Sequence, residues 1–393
     1  MNEVQTRPAP GGRASYFILI AVIVAAGLSQ GLLLPLLSIL LEHQGVSSSL
    51  NGLNAAALYV GSFAMTLVAE RVLVKLGFKK LIASGLALVL ASLLVFPLTH
   101  SVEIWFVLRF LVGVGDAAVN YAAQLWVLLM TPPEHRGRNI SFYGMSYGLG
   151  FSFGPLGVSL LRFGDHVPFY VLAALFLAVL LLGLLLLPDT RPDRAEGGEG
   201  QARRFVRSYS LAWYTLIPAL LYGYMEATLN SSFPVYGLRI GFSADQIAAL
   251  LPFAGIGGLL LQLPLGIWSD RLGRKRVLAA AGIGGGAAFA LLPLAEGHFT
   301  VTLILIGAAG GLVGSFFSLG LAYAADLLPR SLLPAANVVA SFHFSAGSIV
   351  GPAAGGLLLQ YGWGAGIFVV MGLLFVIFGA SGRWFVPQGG KFP

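Results

Sequence analysis

The stretch that decides the fold reads GIWSDRLGRKR, residues 266–276, a charged run around a glycine that lies between two long apolar segments. A counterpart, ERVLVKLGFKK, occupies residues 70–80, and its Gly77 precedes Gly273 by 196 residues. The apolar segments on either side are long enough to cross a bilayer, for which about 20 apolar residues suffice. One pattern therefore occurs twice in the chain, which indicates a duplicated helical membrane protein.

The composition supports a membrane protein. Of 393 residues, 57% are hydrophobic and 10% charged, and the mean hydropathy is +0.85, whereas soluble domains carry about 25% charged residues. The absence of cysteine excludes a disulfide framework and a thiolate metal site, and no two of the six histidines have metal-ligand spacing. No cofactor is expected. No nucleophile–base set or phosphate loop is found, so an enzyme is not expected either.

Twelve apolar segments have spanning length. The polar first 14 residues lead into the first of them without a cleavage site, so a retained helix is expected rather than a signal peptide. Nearly all lysines and arginines outside the spans fall on the side of the two termini, and only Arg162 and Arg239 fall on the other, which predicts cytoplasmic termini. The net charge of +7 thus reflects topology and attraction to anionic lipid, not nucleic-acid binding. The predicted spans lie near 16–41, 50–70, 80–98, 103–130, 140–162, 167–187, 211–237, 246–268, 276–295, 300–325, 335–360 and 364–386.

The longest polar interruption divides the chain at its middle. Residues 188–208 are rich in arginine, acidic residues, glycine and proline, the composition of a flexible linker. We expect a six-helix bundle at 1–187, a cytoplasmic linker at 188–208 and a second six-helix bundle at 209–393. A parallel duplication of six spans is the plan of transporters that work by alternating access.

The repeat also relates residues within the spans. Gly154 and Pro155 match Gly351 and Pro352 at an offset of 197, and Gln30 of span 1 matches Glu226 of span 7. Glycine and proline crowd spans 5 and 11 at these positions. A Gly-Pro step permits a bend, which favours a hinge; close helix packing in lipid is the alternative explanation.

At these motifs the chain resembles the major facilitator superfamily, over essentially its whole length, and in particular a bacterial exporter-like branch for drugs or metabolites. The resemblance implies an all-α membrane protein with twelve transmembrane helices as two six-helix repeats, in the cell (cytoplasmic or inner) membrane. RFLVGVGDAA at 109–118 and PPEHRGR at 132–138 are similar to further motifs of the family. Its signature loop is matched here by Gly266, Asp270, Arg271, Gly273, Arg274 and Lys275.

The first half departs from this signature. Val74 stands where the family has an aspartate, and Glu70 stands where it has the first glycine. The resemblance implies that the aspartate closes the cytoplasmic face. Such a latch is then one-sided, on Asp270 and Arg271, or Glu70 substitutes from one turn earlier. An ordinary charged helix end explains Glu70 equally well.

Polar side chains within the spans are candidates for function because lipid tolerates them poorly. Those of spans 4 and 7 recur at intervals that place them on one helix face, whereas span 10 offers only Ser315, Ser318 and Tyr323. The resemblance implies that helices 1, 4, 7 and 10 line the substrate cavity. The cavity candidates are Gln30 of span 1, Arg109, Asp116, Asn120 and Gln124 of span 4, and Tyr222, Glu226 and Asn230 of span 7.

Glu226 and Asp116 are the candidates for proton coupling. Low-dielectric surroundings favour the neutral form of a carboxyl group, which lets it exchange a proton near neutral pH. The structural alternatives are a hydrogen bond between spans 7 and 1 for Glu226 and a permanent buried pair for Asp116. Arg109 either contacts an anionic group of the substrate or tunes a proton site. His343 in span 11 fits helix packing better than a switch.

The sequence favours a secondary active transporter of a small organic solute that exports an amphipathic or cationic compound by proton antiport. Span 11 carries the full glycine-proline string of family exporters and span 5 part of it. Uptake of a metabolite by proton symport, flipping of a lipid or glycolipid, and a non-transporting sensor or scaffold remain alternatives. The expected partners are the solute, protons and membrane lipid, with no nucleic acid, and the expected state is a monomer.

Overall fold

The computed structural model describes residues 12–132, 135–191 and 201–386, and these ranges contain helices and turns but no strand. Short 3₁₀ segments extend several helices, the longest at Gly154–Phe163. The α-helices are α1 Arg13–His43, α2 Ser48–Leu76, α3 Phe78–Val95, α4 Val102–Met130, α5 Arg136–Phe153, α6 Val167–Leu186, α7 Gln201–Arg239, α8 Ala244–Leu272, α9 Arg274–Leu291, α10 Phe299–Val313, α11 Phe316–Leu327, α12 Leu333–Gln360 and α13 Gly366–Ser381.

These helices confirm the predicted all-α fold of twelve spans. Helix α5 and the 3₁₀ segment after it form span 5, and α10 and α11 together form span 10, so α12 and α13 are spans 11 and 12. Within the described ranges, nine helical segments are long and apolar enough to cross a membrane by length and composition. The other three spans contain α4, α5 and α7, which carry much of the polar sequence discussed below.

Two local features differ from simple spans. Helix α7 begins at Gln201, within the segment predicted as a linker, and has non-helical dihedrals at Ala212 (φ −137°, ψ 26°). Residues 192–200 of that linker lie outside the described residues. Span 10 breaks between Val313 and Phe316, at Gly314 and Ser315. Hydropathy reports neither feature, because both are changes of backbone geometry within a helical region.

The internal repeat is visible in the backbone. The signature-loop glycines, Gly77 and Gly273, have φ of 84° and 98°, a left-handed conformation that glycine adopts without strain. Gly45 and Gly241, which follow α1 and α7, also lie 196 residues apart and have φ of 71° and 92°. The same turns therefore end the same helices in both halves of the sequence.

The described residues within 1–33 and 57–195 form one compact unit. Helices α1 and α5 approach each other through glycines: an added Cβ at Gly31 meets the backbone of Phe151, and one at Gly154 meets the backbone of Leu28 and Gly31. Because lipid offers no hydrophobic drive between helices, such small residues set the packing by allowing close backbone contact. The polar residues of α1 and α5 in this unit therefore lie on closely packed helices.

The described residues within 34–56 and 196–393 form the second compact unit. Helices α7 and α12 cross here at glycines, as an added Cβ at Gly223 meets the carbonyl oxygen of Phe344 and one at Gly347 meets that of Leu220. Helices α7 and α12 are the repeat counterparts of α1 and α5. The same way of packing therefore occurs in both units.

Candidate functional site

Helix α4 buries an arginine and an aspartate in the first unit. Arg109 is 1% exposed and Asp116 4% exposed. None of the three guanidinium nitrogens and neither carboxylate oxygen has a hydrogen-bond partner among the described residues. Seven residues separate them, about 10 Å along a helix axis, and neither forms an ion pair with another described residue. Among the described residues, Asp116 therefore lacks the permanent buried pair that was the structural alternative for it.

The face of α4 that carries these two residues packs against α2. Gly113 lies on the same face as Arg109 and Asp116, and an added Cβ there meets the carbonyl oxygen of Leu58 on α2. The Ser62 hydroxyl of α2 lies 3.1 Å from the carbonyl oxygen of Gly113 and donates to it. The polar stripe of α4 is thus directed towards protein rather than lipid in this region.

Asn120, one turn after Asp116, is held by hydrogen bonds. Its Nδ2 donates to the main-chain carbonyl of Asp116 at 3.0 Å. The Tyr143 hydroxyl of α5 lies 3.0 Å from the main-chain oxygen of Asn120 and 3.2 Å from its Oδ1. The side chain of Asn120 is therefore held between the backbone of α4 and the Tyr143 hydroxyl of α5. Gln124, the last residue of the stripe, is exposed.

Gln30 of α1 also meets a tyrosine of α5. The Tyr147 hydroxyl donates to Gln30 Oε1, and the Tyr147 ring stacks on that of Phe151. Sequence reasoning did not single out Tyr143 or Tyr147. Their spacing of four residues in span 5 places both hydroxyls on one helix face, and that spacing is the signal that identifies them.

Glu226 is the acidic residue of α7 in the second unit and is partly exposed. Its carboxylate forms a side-chain hydrogen bond with Tyr222, one turn earlier. Asn230 Nδ2 donates to the main-chain carbonyl of Glu226 at 2.9 Å. The two acidic residues therefore share one local arrangement, in which the asparagine four residues later donates a hydrogen bond to the main-chain carbonyl oxygen of the acidic residue. The pairs are Asp116 with Asn120 and Glu226 with Asn230.

The signature loop forms ion pairs within the second unit. Arg274 Nη2 lies 2.9 Å from Asp270 Oδ1, and the same guanidinium pairs with Asp326 at the end of α11. Arg274 Nη1 also donates to Ser269 Oγ at 3.3 Å. Arg271 is exposed. Arg274 thus joins the ends of α8 and α11.

The remaining gating candidates lie in different settings. Glu70 is exposed and forms no ion pair with another described residue. At Gly154 and Pro155 the α-helix of span 5 changes to a 3₁₀ segment. At Gly351 and Pro352, by contrast, α12 continues without interruption. The two Gly-Pro steps therefore have the same sequence but different backbone geometry.

His343 has the surroundings of a packing residue. Its Nδ1 lies 3.1 Å from the carbonyl oxygen of Leu216, and its ring meets that of Tyr209 edge to face at 5.5 Å between centroids. No cluster of metal-ligating side chains is present within the described ranges. The charged side chains buried or partly buried within the described spans include Asp116, Arg109 and Glu226.

Comparison with known proteins agrees with this architecture. The family model described as Major Facilitator Superfamily matches residues 19–260 and 220–391. The chain is 40% identical over 96% of both chains to the uncharacterized MFS-type transporter YfkF of Bacillus subtilis (strain 168). It is 25% identical, over 88% of both chains, to multidrug resistance protein 2 of the same organism.

Solved structures show the same fold. A crystal structure of the nucleoside transporter NupG matches with a TM-score of 0.73 and 14% identity, covering 95% of this chain and 98% of that one. The identity is low, so this likeness concerns the fold alone. The family match and the sequence relatives identify the molecule as a transporter and not an enzyme, and as a multi-pass protein of the cell membrane. The chain belongs to the Major Facilitator Superfamily.

Proposed function

We propose that this protein exports an amphipathic or cationic organic compound in exchange for protons, by alternating access, with both termini in the cytoplasm. The observation that carries the proposal is Asp116, a carboxylate 4% exposed with no hydrogen-bond partner for either oxygen among the described residues. An acid without a fixed partner inside a span is costly for stability, so its retention favours a functional role.

Glu226 is the principal proton-coupling carboxylate of the proposal. Tyr222, the side-chain partner of its carboxylate among the described residues, lies on the same helix. We expect loss of the charge upon protonation to leave the helix packing intact. A group with these properties is suited to repeated protonation during transport, with Asp116 as a second site.

The proposed substrate class and direction draw on the sequence relatives. The relatives include a multidrug resistance protein of Bacillus subtilis and the quinolone resistance protein NorA of Staphylococcus aureus (strain MRSA252), the latter 23% identical over 63% of this chain. Within the proposal, Gln30, Arg109, Asn120, Gln124, Tyr222 and Asn230 form or support the substrate cavity. Protons and lipid are the partners, no cofactor is required, and the protein acts as a monomer.

Everted membrane vesicles test coupling and direction together, with ethidium as the probe cation. Because their cytoplasmic face points outwards, an exporter accumulates ethidium in the lumen when the lumen is acidic. We expect accumulation with the wild-type protein, loss of it with Glu226→Gln and Asp116→Asn, and retention with Glu296→Gln, a matched neutralisation outside the helical spans.

The alternatives predict other results. Coupling that remains unaltered in both Glu226→Gln and Asp116→Asn contradicts the proton-relay role of these residues. Movement of solute with protons, in the same direction, identifies uptake by symport. Absence of any solute-dependent proton flux with a broad solute panel favours lipid flipping, measured with labelled phospholipid, or a sensor or scaffold.

A further inference from the structure

Arg239, the last residue of α7, is the centre of a hydrogen-bonded cluster in the second unit. Its Nε lies 2.8 Å from Glu42 Oε1 and its Nη2 3.2 Å from Glu42 Oε2, a two-pronged ion pair. Nη2 also donates to Ser48 Oγ at 2.6 Å, and Nη1 donates to the carbonyl oxygen of Leu359 at 3.1 Å. One guanidinium thus contacts α1, α2 and α12 at their ends.

A second contact joins two of the same helices. The main-chain nitrogen of Ser48 donates to Gln360 Oε1 at 3.0 Å. One turn into α2, an added Cβ at Gly52 meets the carbonyl oxygen of Pro352 and, at 3.0 Å, the Cα of Gly356. The start of α2 therefore lies directly against the end of α12, with backbone close to backbone and polar groups at the rim.

The repeat gives this pair a particular meaning. Glu42 lies three residues before Gly45 and Arg239 two residues before Gly241, the glycines that follow α1 and α7. They therefore lie in the last turns of equivalent helices, one residue out of register, and carry opposite charges. A carboxylate in the last turn of α1 opposes the helix dipole, whereas an arginine in the last turn of α7 is favoured by it. Glu42 consequently gains its stabilisation from Arg239 and not from its own helix.

The strength of the cluster suits a reversible contact. The side chains of Arg239 and Glu42 are 41% and 19% exposed, so water competes for both. An isolated exposed pair contributes little, while two-pronged geometry and additional hydrogen bonds strengthen it. The start of α2 also meets α12 through close backbone contact at Gly52 and Gly356. Polar contacts of this kind separate without the loss of a large apolar interface.

We propose that Glu42 and Arg239 form a latch that holds the ends of α1, α2, α7 and α12 together in the state seen here, and that the latch must open in every transport cycle. This proposal rests on transport by alternating access. It adds a specific control point on the side of the membrane that the charge distribution predicts to be extracellular. It concerns conformation, whereas Glu226 and Asp116 concern proton coupling.

The absence of cysteine makes a direct distance measurement possible. His43 and Tyr361 are exposed next to the latch, Tyr361 at 83%. Spin labels on His43→Cys and Tyr361→Cys report the separation of the ends of α1 and α12 by pulsed electron paramagnetic resonance on the full chain in lipid nanodiscs. The measurement needs no substrate and no proton gradient, so its outcome is independent of the proposed function.

We expect Glu42→Gln to raise the population of a longer distance by about three- to tenfold relative to the short one, because the ion pair is lost. Arg239→Gln gives the same shift, and the charge exchange of Glu42→Arg with Arg239→Glu restores the short distance at least in part. Glu296→Gln is the matched control, since Glu296 accepts a hydrogen bond from Tyr236 near the same helix end, whereas the ion-pair partner of Arg239 among the described residues is Glu42. Superimposable distance distributions for the wild type, Glu42→Gln and Arg239→Gln overturn the latch, as does an equal shift with Glu296→Gln.

Discussion

The substitution Asp116→Asn separates a structural from a functional role for this residue. Removal of one member of a buried ion pair costs about 3–5 kcal/mol, because the remaining charge is left without a partner. In this structure neither carboxylate oxygen of Asp116 has a partner among the described residues, and Arg109 is two helical turns away. Asparagine has nearly the same shape and remains polar. We therefore expect the free energy of unfolding to change by less than about 1 kcal/mol.

Asn120→Ala is the matched control one turn further along α4. It removes the hydrogen bond to the carbonyl of Asp116 and the Oδ1 acceptor of Tyr143. Loss of these bonds inside the protein costs about 1–3 kcal/mol. Asn120→Ala is thus expected to be less stable than Asp116→Asn, even though Asp116 is the more buried of the two residues.

The assay is reversible unfolding in mixed micelles by titration with sodium dodecyl sulfate, followed by tryptophan fluorescence, together with proton-coupled ethidium transport in vesicles. The expected result is a stable Asp116→Asn protein that has lost coupling. A loss of stability of 3 kcal/mol or more in Asp116→Asn, larger than that of Asn120→Ala, would refute the reasoning, because it shows that Asp116 has a partner essential to the fold.

Two further predictions concern glycine packing and His343. Gly113→Ala is expected to lower the free energy of unfolding by about 2 kcal/mol or more, because the added Cβ meets the carbonyl oxygen of Leu58. The control Gly148→Ala has no atom within 4 Å of the added Cβ and is expected to leave the stability unchanged or raise it by up to about 1 kcal/mol. Equal stabilities of the two variants in the unfolding titration contradict the prediction. His343→Gln is expected to leave the pH profile of transport unchanged while it weakens the contact with Leu216. A displaced pH profile in vesicle transport assigns His343 a part in coupling.

Much of the fold follows from the sequence, because hydropathy, the basic loops and the repeat offset can each be read from the order of residues alone. The break of span 10 at Gly314 and Ser315 escapes such patterns, because the helices on both sides of the break are predominantly apolar. The helical start of α7 at Gln201 escapes them for another reason: its polar residues are equally compatible with a linker and with a solvated helix.

The sequence identifies which polar residues in the spans are candidates but not what they contact. Spacing predicts that Asp116 and Asn120 share a face, which the structure has, but the role of Asn120 depends on Tyr143 of another helix. The pairing of Glu42 with Arg239 joins residues 197 positions apart. Such contacts depend on how helices cross, and a single sequence carries no direct signal for that.

Substrate counterflow tests most directly whether Glu226 carries the coupled proton. Proteoliposomes loaded with ethidium exchange it for labelled external ethidium without net proton movement, so this exchange requires alternating access but not coupling. We predict that Glu226→Gln retains counterflow at a rate similar to wild type and loses accumulation driven by a pH gradient. Full accumulation by Glu226→Gln under the same pH gradient would contradict the account.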